Sequence, residues 1–198
     1  MRILGISAFY HDSAIALIEN GAVRFATSEE RFSRIKHDSK FPTQSISYLH
    51  HVLGYSLGSL DAIVFYEKPF LKFERLLSTY LNIAPAGLAS FLQSIPIWLK
   101  DKLLMKQRIK DYLSEINETK RSWPLYFSKH HLSHAAASFY TSPFTQAAIL
   151  TIDGVGEYET ATICNAGESR ITQLRAMDFP NSLGLFYSAC LLYTSDAA

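Results

Sequence analysis

Short apolar runs separated by turn-forming residues open the chain, and this pattern predicts strands. Arg2 to Ile6 is a brief apolar run ending in small residues, and Ala14 to Ile18 is a second. Asn20-Gly21 stands between apolar runs as a hairpin signal. After it, Val23 and Phe25 alternate with Arg24 and Ala26, giving a third strand and an antiparallel meander. Glu29 to Lys40 is charged and reads as too polar for a core. Pro42 starts a helix on which Ile46, Leu49, Val52 and Leu53 share one face, with Gly54 at the C-cap position. Asp61 to Phe65 reads as a strand parallel to the first.

The pattern changes at Pro69. Leucines and basic residues dominate, with Trp98, Leu99, Leu103 and Ile109 at helical spacing. Residues 69–122 are therefore expected to be a helical insertion, a lid or a homodimer face, with the basic run from Lys100 to Lys110 on its solvated side. A second unit, 123–198, opens with a strand at Leu125 to Phe127, a helix from Lys129 to Tyr140 and a strand at Ala148 to Ile152.

The second unit repeats the first. With a shift of 146 residues, Ile3-Leu4 falls on Ile149-Leu150 and Ile6 on Ile152. Ala14, Ala16 and Leu17 fall on Thr160, Thr162 and Ile163. Gly21 falls on Gly167, Arg24 on Arg170 and Phe25 on Ile171. The order β-β-β-α-β, begun twice, predicts an α/β chain: a duplicated ribonuclease-H-like fold of the actin and sugar-kinase superfamily. On this reading 1–68 is a complete first half and 123–198 a truncated second half. The loops Ser7 to Ser13 and Asp153 to Glu159 would then face each other across a phosphate-gripping cleft.

Composition narrows the class. Apolar residues make up 48% and charged residues 19%, as in a globular protein, and the net charge of +1 offers no basic field for nucleic acid or an anionic membrane. Cys164 and Cys190 form no CxxC, which favours a reducing cytoplasm. No signal peptide opens the chain, and Pro85, Gln93 and Pro96 break the longest apolar stretch, so no membrane span is expected.

Three clusters can carry chemistry. His130 and His134 lie one helical turn apart, so both rings can reach one divalent metal; iron, manganese and zinc all suit them. His131 points elsewhere. Asp153-Gly154-Val155-Gly156-Glu157 joins an acid at a strand end to two glycines. Asp153, Gly154, Gly156 and Glu157 are thus candidates for binding a nucleotide's phosphates, with Asp153 holding a phosphate-bound metal. In the first hairpin loop His11 is a candidate general base that Asp12 would orient, with Ser13 as an anion contact. Arg34, Lys36 and His37 form a possible substrate-contacting rim. A solvated loop or a plain helix with exposed histidines fits each cluster as well.

Five blocks in order resemble the NodU/CmcH/TobZ carbamoyltransferases. They are Gly5-Ile6 with Tyr10-His11-Asp12-Ser13-Ala14; Glu29 through Asp38 with Phe41-Pro42; His130-His131-Leu132-Ser133-His134-Ala135-Ala136; Asp153-Gly154-Val155-Gly156-Glu157; and Asn181-Ser182-Leu183-Gly184-Leu185-Phe186-Tyr187. The resemblance implies an enzyme domain that passes a carbamoyl group from carbamoyladenylate to a substrate hydroxyl. A YrdC-like domain, missing from this chain, would make that intermediate from carbamoyl phosphate and ATP. His130 and His134 would hold a metal, usually iron, and His11 would stand near the acceptor hydroxyl. The Asp153 loop would touch the adenylate phosphate, and a third ligand, an aspartate, would lie downstream. Residues 190–198 depart from the family and read as a foreign tail on a fragment inactive by itself. A sugar-kinase-like phosphotransferase and an inactive nucleotide-binding module are the competing readings.

Overall fold

The computed structural model describes residues 1–93, 95, 104–117, 123–167 and 170–195. Trp98, Leu99, Lys100 and Leu103 of the expected insertion, and residues 196–198 of the expected tail, lie outside the described residues. The chain is mixed α/β and divides into two compact units. One contains the described residues of 1–66 and 99–127; the other contains those of 67–98 and 128–198.

The first unit is built on a five-stranded sheet of order β3-β2-β1-β4-β5. Its strands are β1 (Arg2–Ser7), β2 (Ala14–Glu19), β3 (Ala22–Ser28), β4 (Ala62–Phe65) and β5 (Leu125–Phe127). β1, β2 and β3 run antiparallel, and β4 and β5 run parallel to β1. Asn20 and Gly21 both take positive φ, 52° and 83°, as a two-residue turn matched to the strand twist requires. Leu4, Ile6, Ile15, Leu17, Ile63 and Phe65 project into the core. After a single helical turn, α1 (Glu30–Ser33), two further helices supply the opposing side chains. Helix α2 (Thr43–Ser47, continued by a π-helical turn, Tyr48–Val52) gives Ile46 and Leu49. The helix Met105–Asn117 gives Met105, Ile109, Leu113 and Ile116, one residue per turn. Burial of each such side chain is worth about 1.5–3 kcal/mol.

The structure departs from the sequence pattern at three places in this unit. Residues 69–122 are not one insertion: Met105–Asn117 packs in the core of the first unit, and β5 is the fifth strand of its sheet rather than the start of a second half. Val52 and Leu53 do not share the buried face of Ile46 and Leu49, because the π-turn, wider than an α-turn, leaves both exposed. The charged segment from Glu29 is not wholly surface. Glu29 is buried, and its carboxylate accepts the backbone N–H groups of Gln44 and Ser45 at the start of α2, each at 2.9 Å.

The second unit holds a three-stranded antiparallel sheet, β6 (Gln146–Ile152), β7 (Glu159–Gly167) and β8 (Arg170–Asp178). Here the sequence repeat acquires a register. Leu4 pairs with Leu17 and Gly5 with Ala16; 146 residues on, Leu150 pairs with Ile163 and Thr151 with Thr162. The register slips between Leu17 and Ile18 in one sheet and between Ile163 and Cys164 in the other, again 146 residues apart. The third strands differ. Gly167 pairs with Arg170 and is the last residue of β7, not a turn residue like Gly21, so the second hairpin is longer. Leu17 faces Phe25 whereas Ile163 faces Arg175, so the shift there is 150 residues, and Arg24 and Arg170 are not equivalent.

The helices of this unit include α3 (Pro69–Ile83), the site helix His130–Tyr140 and the helix Leu183–Ser195. His131, Ala135 and Phe139 recur every fourth residue along the site helix, and this stripe is buried. Ala135 and Phe139 pack with Ile149, Cys164 and Ala166 of the sheet.

Candidate metal centre

With the 131/135/139 stripe buried, His130 and His134 fall on the neighbouring flank of the same helix. Asp153 follows the last residue of β6. The Nε2 atoms of His130 and His134 lie 3.1 Å apart, Asp153 Oδ2 lies 2.6 Å from the first, and it lies 3.9 Å from the second. All three donor atoms fall within 4.8 Å of one another. Ligands about 2.1 Å from a metal sit about 3.0–3.4 Å apart in octahedral or tetrahedral arrangements. The triangle fits a single ion with small adjustment. Its donor set of two imidazoles and a carboxylate suits iron, manganese or zinc.

The electrostatics favour ligation. The hydrogen bond from His130 is the chief cause holding the Asp153 carboxyl well below the usual carboxylate range, and the Gly154 N–H adds to it. Asp153 is therefore ionised. Partial burial, then the neighbouring His130 ring, lowers the affinity of His134 for a proton, against the pull of Asp153. A neutral imidazole keeps its lone pair for a metal.

Asp153 was expected on the phosphate side of a nucleotide, with the metal's third ligand elsewhere; the structure brings it to the histidine pair. Neither glycine offers a free N–H. Gly154 donates to Asp153 Oδ1 at 2.6 Å and Gly156 to the Glu159 carbonyl at 2.9 Å. Gly156 is needed for a different reason: a Cβ there would meet His131 at 3.0 Å and His130 at 3.2 Å. Glu157 is not a phosphate contact either. It is buried, and its carboxylate accepts the backbone N–H of His130 with both oxygens at 3.0 Å and that of Lys68 at 2.8 Å. A buried anion turned toward helix starts repels phosphate.

Two further sets of contacts support the centre. His131 Nε2 lies 2.9 Å from the Glu159 carbonyl, which only accepts, so this nitrogen carries a proton. In the neutral ring Nδ1 then accepts from Thr151 Oγ1, 2.6 Å away, and that hydroxyl accepts from Thr162 at 2.6 Å. The second support is the Asn181-to-Tyr187 block. Ser182 donates to the Asp153 and Gly154 carbonyls and accepts the Leu185 N–H. A Cβ on Gly184 would overlap the Asp153 carbonyl oxygen, so only glycine allows this approach. The signal for the first was alternation of Thr151 and Thr162 with apolar neighbours; the second was visible only as a family block.

The first-unit candidates form a separate cluster. Asp12 accepts from His11 Nδ1 and His37 Nδ1, each at 2.9 Å and one on each oxygen. Asp12 and His37 both hold positive φ, 48° and 56°. Arg34 and Lys36 are exposed in the same loop as His37. Ser13 is different: it is buried, and its hydroxyl donates to the Lys40 carbonyl while its N–H donates to that of Asp38. It fastens the loop instead of presenting a hydroxyl to an anion.

This centre occurs in a chain that matches the family described as carbamoyltransferase N-terminus over residues 2–196. The chain belongs to that family. The match runs through residues 190–196, which were expected to be foreign, and residues 183–195 form one continuous helix. An uncharacterized protein of Synechocystis, sll1178, is 50% identical over 195 residues, 98% of this chain and 32% of that protein. Nodulation protein NolNO of Sinorhizobium fredii is 33% identical over 191 residues, 94% of this chain and 26% of that protein. The chain thus spans about a third of the length of these relatives or less. Among solved structures, YeaZ from Pseudomonas aeruginosa superposes with a TM-score of 0.40 at 12% identity, over 90% of this chain and 67% of that one, too loosely to add to the assignment. No helix among the described residues is long and apolar enough to cross a membrane.

Proposed function

We propose that this chain is the carbamoyl-transferring part of a longer O-carbamoyltransferase. Its donor is carbamoyladenylate, made from carbamoyl phosphate and ATP by a YrdC-like domain elsewhere in the parent. Its acceptor is a hydroxyl of a small molecule, of the class to which nodulation factors and hydroxylated antibiotics belong. The observation that carries this reading is the convergence of His130, His134 and Asp153 in a chain of the carbamoyltransferase family.

His130, His134 and Asp153 would hold a divalent metal, iron first and manganese or zinc as alternatives. When bound, that ion supplies positive charge to offset phosphate and polarise the leaving group. His11 would take the proton of the acceptor hydroxyl at Nε2, because its Nδ1 is engaged by Asp12. Asp12 fixes the ring, and His37, Arg34 and Lys36 would contact the polar acceptor. The sheet order β3-β2-β1-β4-β5 with a second meander of equal first-pair register supports a duplicated ribonuclease-H-like plan.

The test is carbamoyl transfer by the full-length parent. Radiolabel from carbamoyl phosphate should enter a hydroxylated acceptor only with ATP. His11→Ala should abolish transfer while sparing metal content, and His130→Ala should lose both. Transfer of the γ-phosphoryl group of ATP without carbamoyl phosphate, or unchanged metal content in His130→Ala, would sink the reading.

A further inference from the structure

Glu157 has no part in the chemistry proposed above, yet it is one of the most deeply buried charged side chains among the described residues, 1% exposed. Its surroundings are specific. Oε1 accepts the N–H of Lys68, which precedes the first residue of α3, at 2.8 Å. Both oxygens accept the N–H of His130, the first residue of the site helix, at 3.0 Å. Neither helix has a capping side chain of its own, since Lys68 and Lys129 stand at the cap positions and make no side-chain cap bond. The first N–H groups of a helix lack partners within it and carry its positive end, so one carboxylate completes two helix starts at once.

One of those starts is the backbone of a proposed metal ligand. The His130 ring is set by its Cα position and by where the helix begins, and His134 follows one turn later on the same rigid rod. Gly156, next to Glu157 in sequence, lies against both His130 and His131, and any Cβ there would press on them. The loop after β6 therefore contacts the ligand helix twice, through the Glu157 carboxylate and through the Gly156 backbone. The same loop begins with Asp153, the third donor.

We infer that Glu157 is a positioning residue for the metal centre: it holds the first turn of the site helix against the Asp153 loop so that the three donor atoms converge. This rests on the metal reading, but the bond on which it depends exists without metal. Partners that orient metal ligands from behind typically change affinity by 10–100-fold when removed. Glu157→Gln keeps the shape and one acceptor. Its amide nitrogen would meet the His130 N–H donor to donor, so that bond weakens while the Lys68 bond can persist.

The experiment uses the full chain, Co2+ as the probe, and amide NMR of the metal-free protein. In Glu157→Gln the Co2+ dissociation constant should rise 10–100-fold with an altered visible ligand-field spectrum. The His130 amide proton should move upfield while the β6, β7 and β8 amides stay in place. Glu157→Asp, which keeps the charge but reaches less far, should fall between the two. Unchanged Co2+ affinity together with an unmoved His130 amide overturns the inference. If the wild-type chain takes up no Co2+, the metal reading falls and this role falls with it; binding in the wild type with no loss in the variant removes the positioning role alone. If neither variant folds, Glu157 is a folding residue and the inference is overturned.

Discussion

Leu4 and Leu150 occupy the same register position in two antiparallel pairs, Leu4 opposite Leu17 and Leu150 opposite Ile163, yet Leu4 is fully buried and Leu150 is 65% exposed. The pattern extends to their neighbours. Ile6 and Leu17 are buried, whereas Ile152 and Ile163, 146 residues on, are 52% and 46% exposed. In the first unit this face is covered by Ile46, Leu49, Ile109 and Leu113. The described residues of the second unit place no such cover on theirs.

Leu150→Ser and Ile163→Thr should therefore leave unfolding free energy within about 0.5 kcal/mol, the usual range for exposed positions. They should also reduce self-association of the isolated chain, since contiguous exposed apolar surface drives it. Leu4→Ala should cost about 2–5 kcal/mol by cavity formation. Urea unfolding and sedimentation of the three variants separate these outcomes; a comparable loss of stability at Leu150 would show that its face is covered after all.

Asp153→Asn and His134→Ala should each weaken metal binding by about tenfold or more, since the first removes the only anionic donor of the three and the second removes a donor outright. Binding should also weaken as pH falls, because protons compete with the metal for the imidazole lone pairs. The sign for Asp153 is separate. Its folded-state affinity for a proton is depressed, so it adds stability above the unfolded carboxylate pKa, 3.8, and loses it as pH falls further. Metal content by mass spectrometry across pH 5–8 should thus fall toward the acid end, with Asp153 ionised throughout.

Gly184→Ala tests the Asn181-to-Tyr187 block. The new methyl would collide with the Asp153 carbonyl, a backbone atom that cannot turn aside. Overpacking of this kind costs about 1–3 kcal/mol. Relief requires the Asp153 loop to move, so the variant should lose metal affinity as well as thermal stability. Loss of stability with wild-type Co2+ binding would separate this block from the metal centre.

Much of this architecture was legible in the chain. The strands showed because apolar and polar residues alternate with period two, and the histidine pair because four residues return a helix to one face. Asp153 reads as an acid at a strand end facing phosphate, since nothing in its spacing says which helix it will face. Glu29 reads as a surface charge and Glu157 as a phosphate contact. Their burial is balanced by backbone N–H groups at helix starts distant in sequence, and composition does not register such partners. Gly167 looked like the turn glycine of a copied hairpin, but two extra strand pairs moved the turn past it. The π-turn at Tyr48–Val52 was equally invisible, since Val52 and Leu53 fit an α-helical stripe as well as Ile46 and Leu49 do.

Asp12 offers a test in the first unit that needs neither substrate nor metal. The hydrogen bond from His37 is the largest cause holding its carboxyl below the ordinary value of 3.8, and the bond and charge of His11 act in the same direction; together they outweigh the loss of surrounding water. A depressed carboxyl contributes stability above its unfolded pKa and loses it as pH falls through the folded one, so the window lies below pH 3.8. NMR of the Asp12 side-chain carbonyl should place its midpoint below that value. His37→Ala should return the midpoint most of the way, and His11→Ala less far, because His37 is the stronger influence. Equal shifts from the two substitutions would mean that His11 is held as firmly as His37. No shift from His11→Ala would mean that Asp12 does not orient the proposed base.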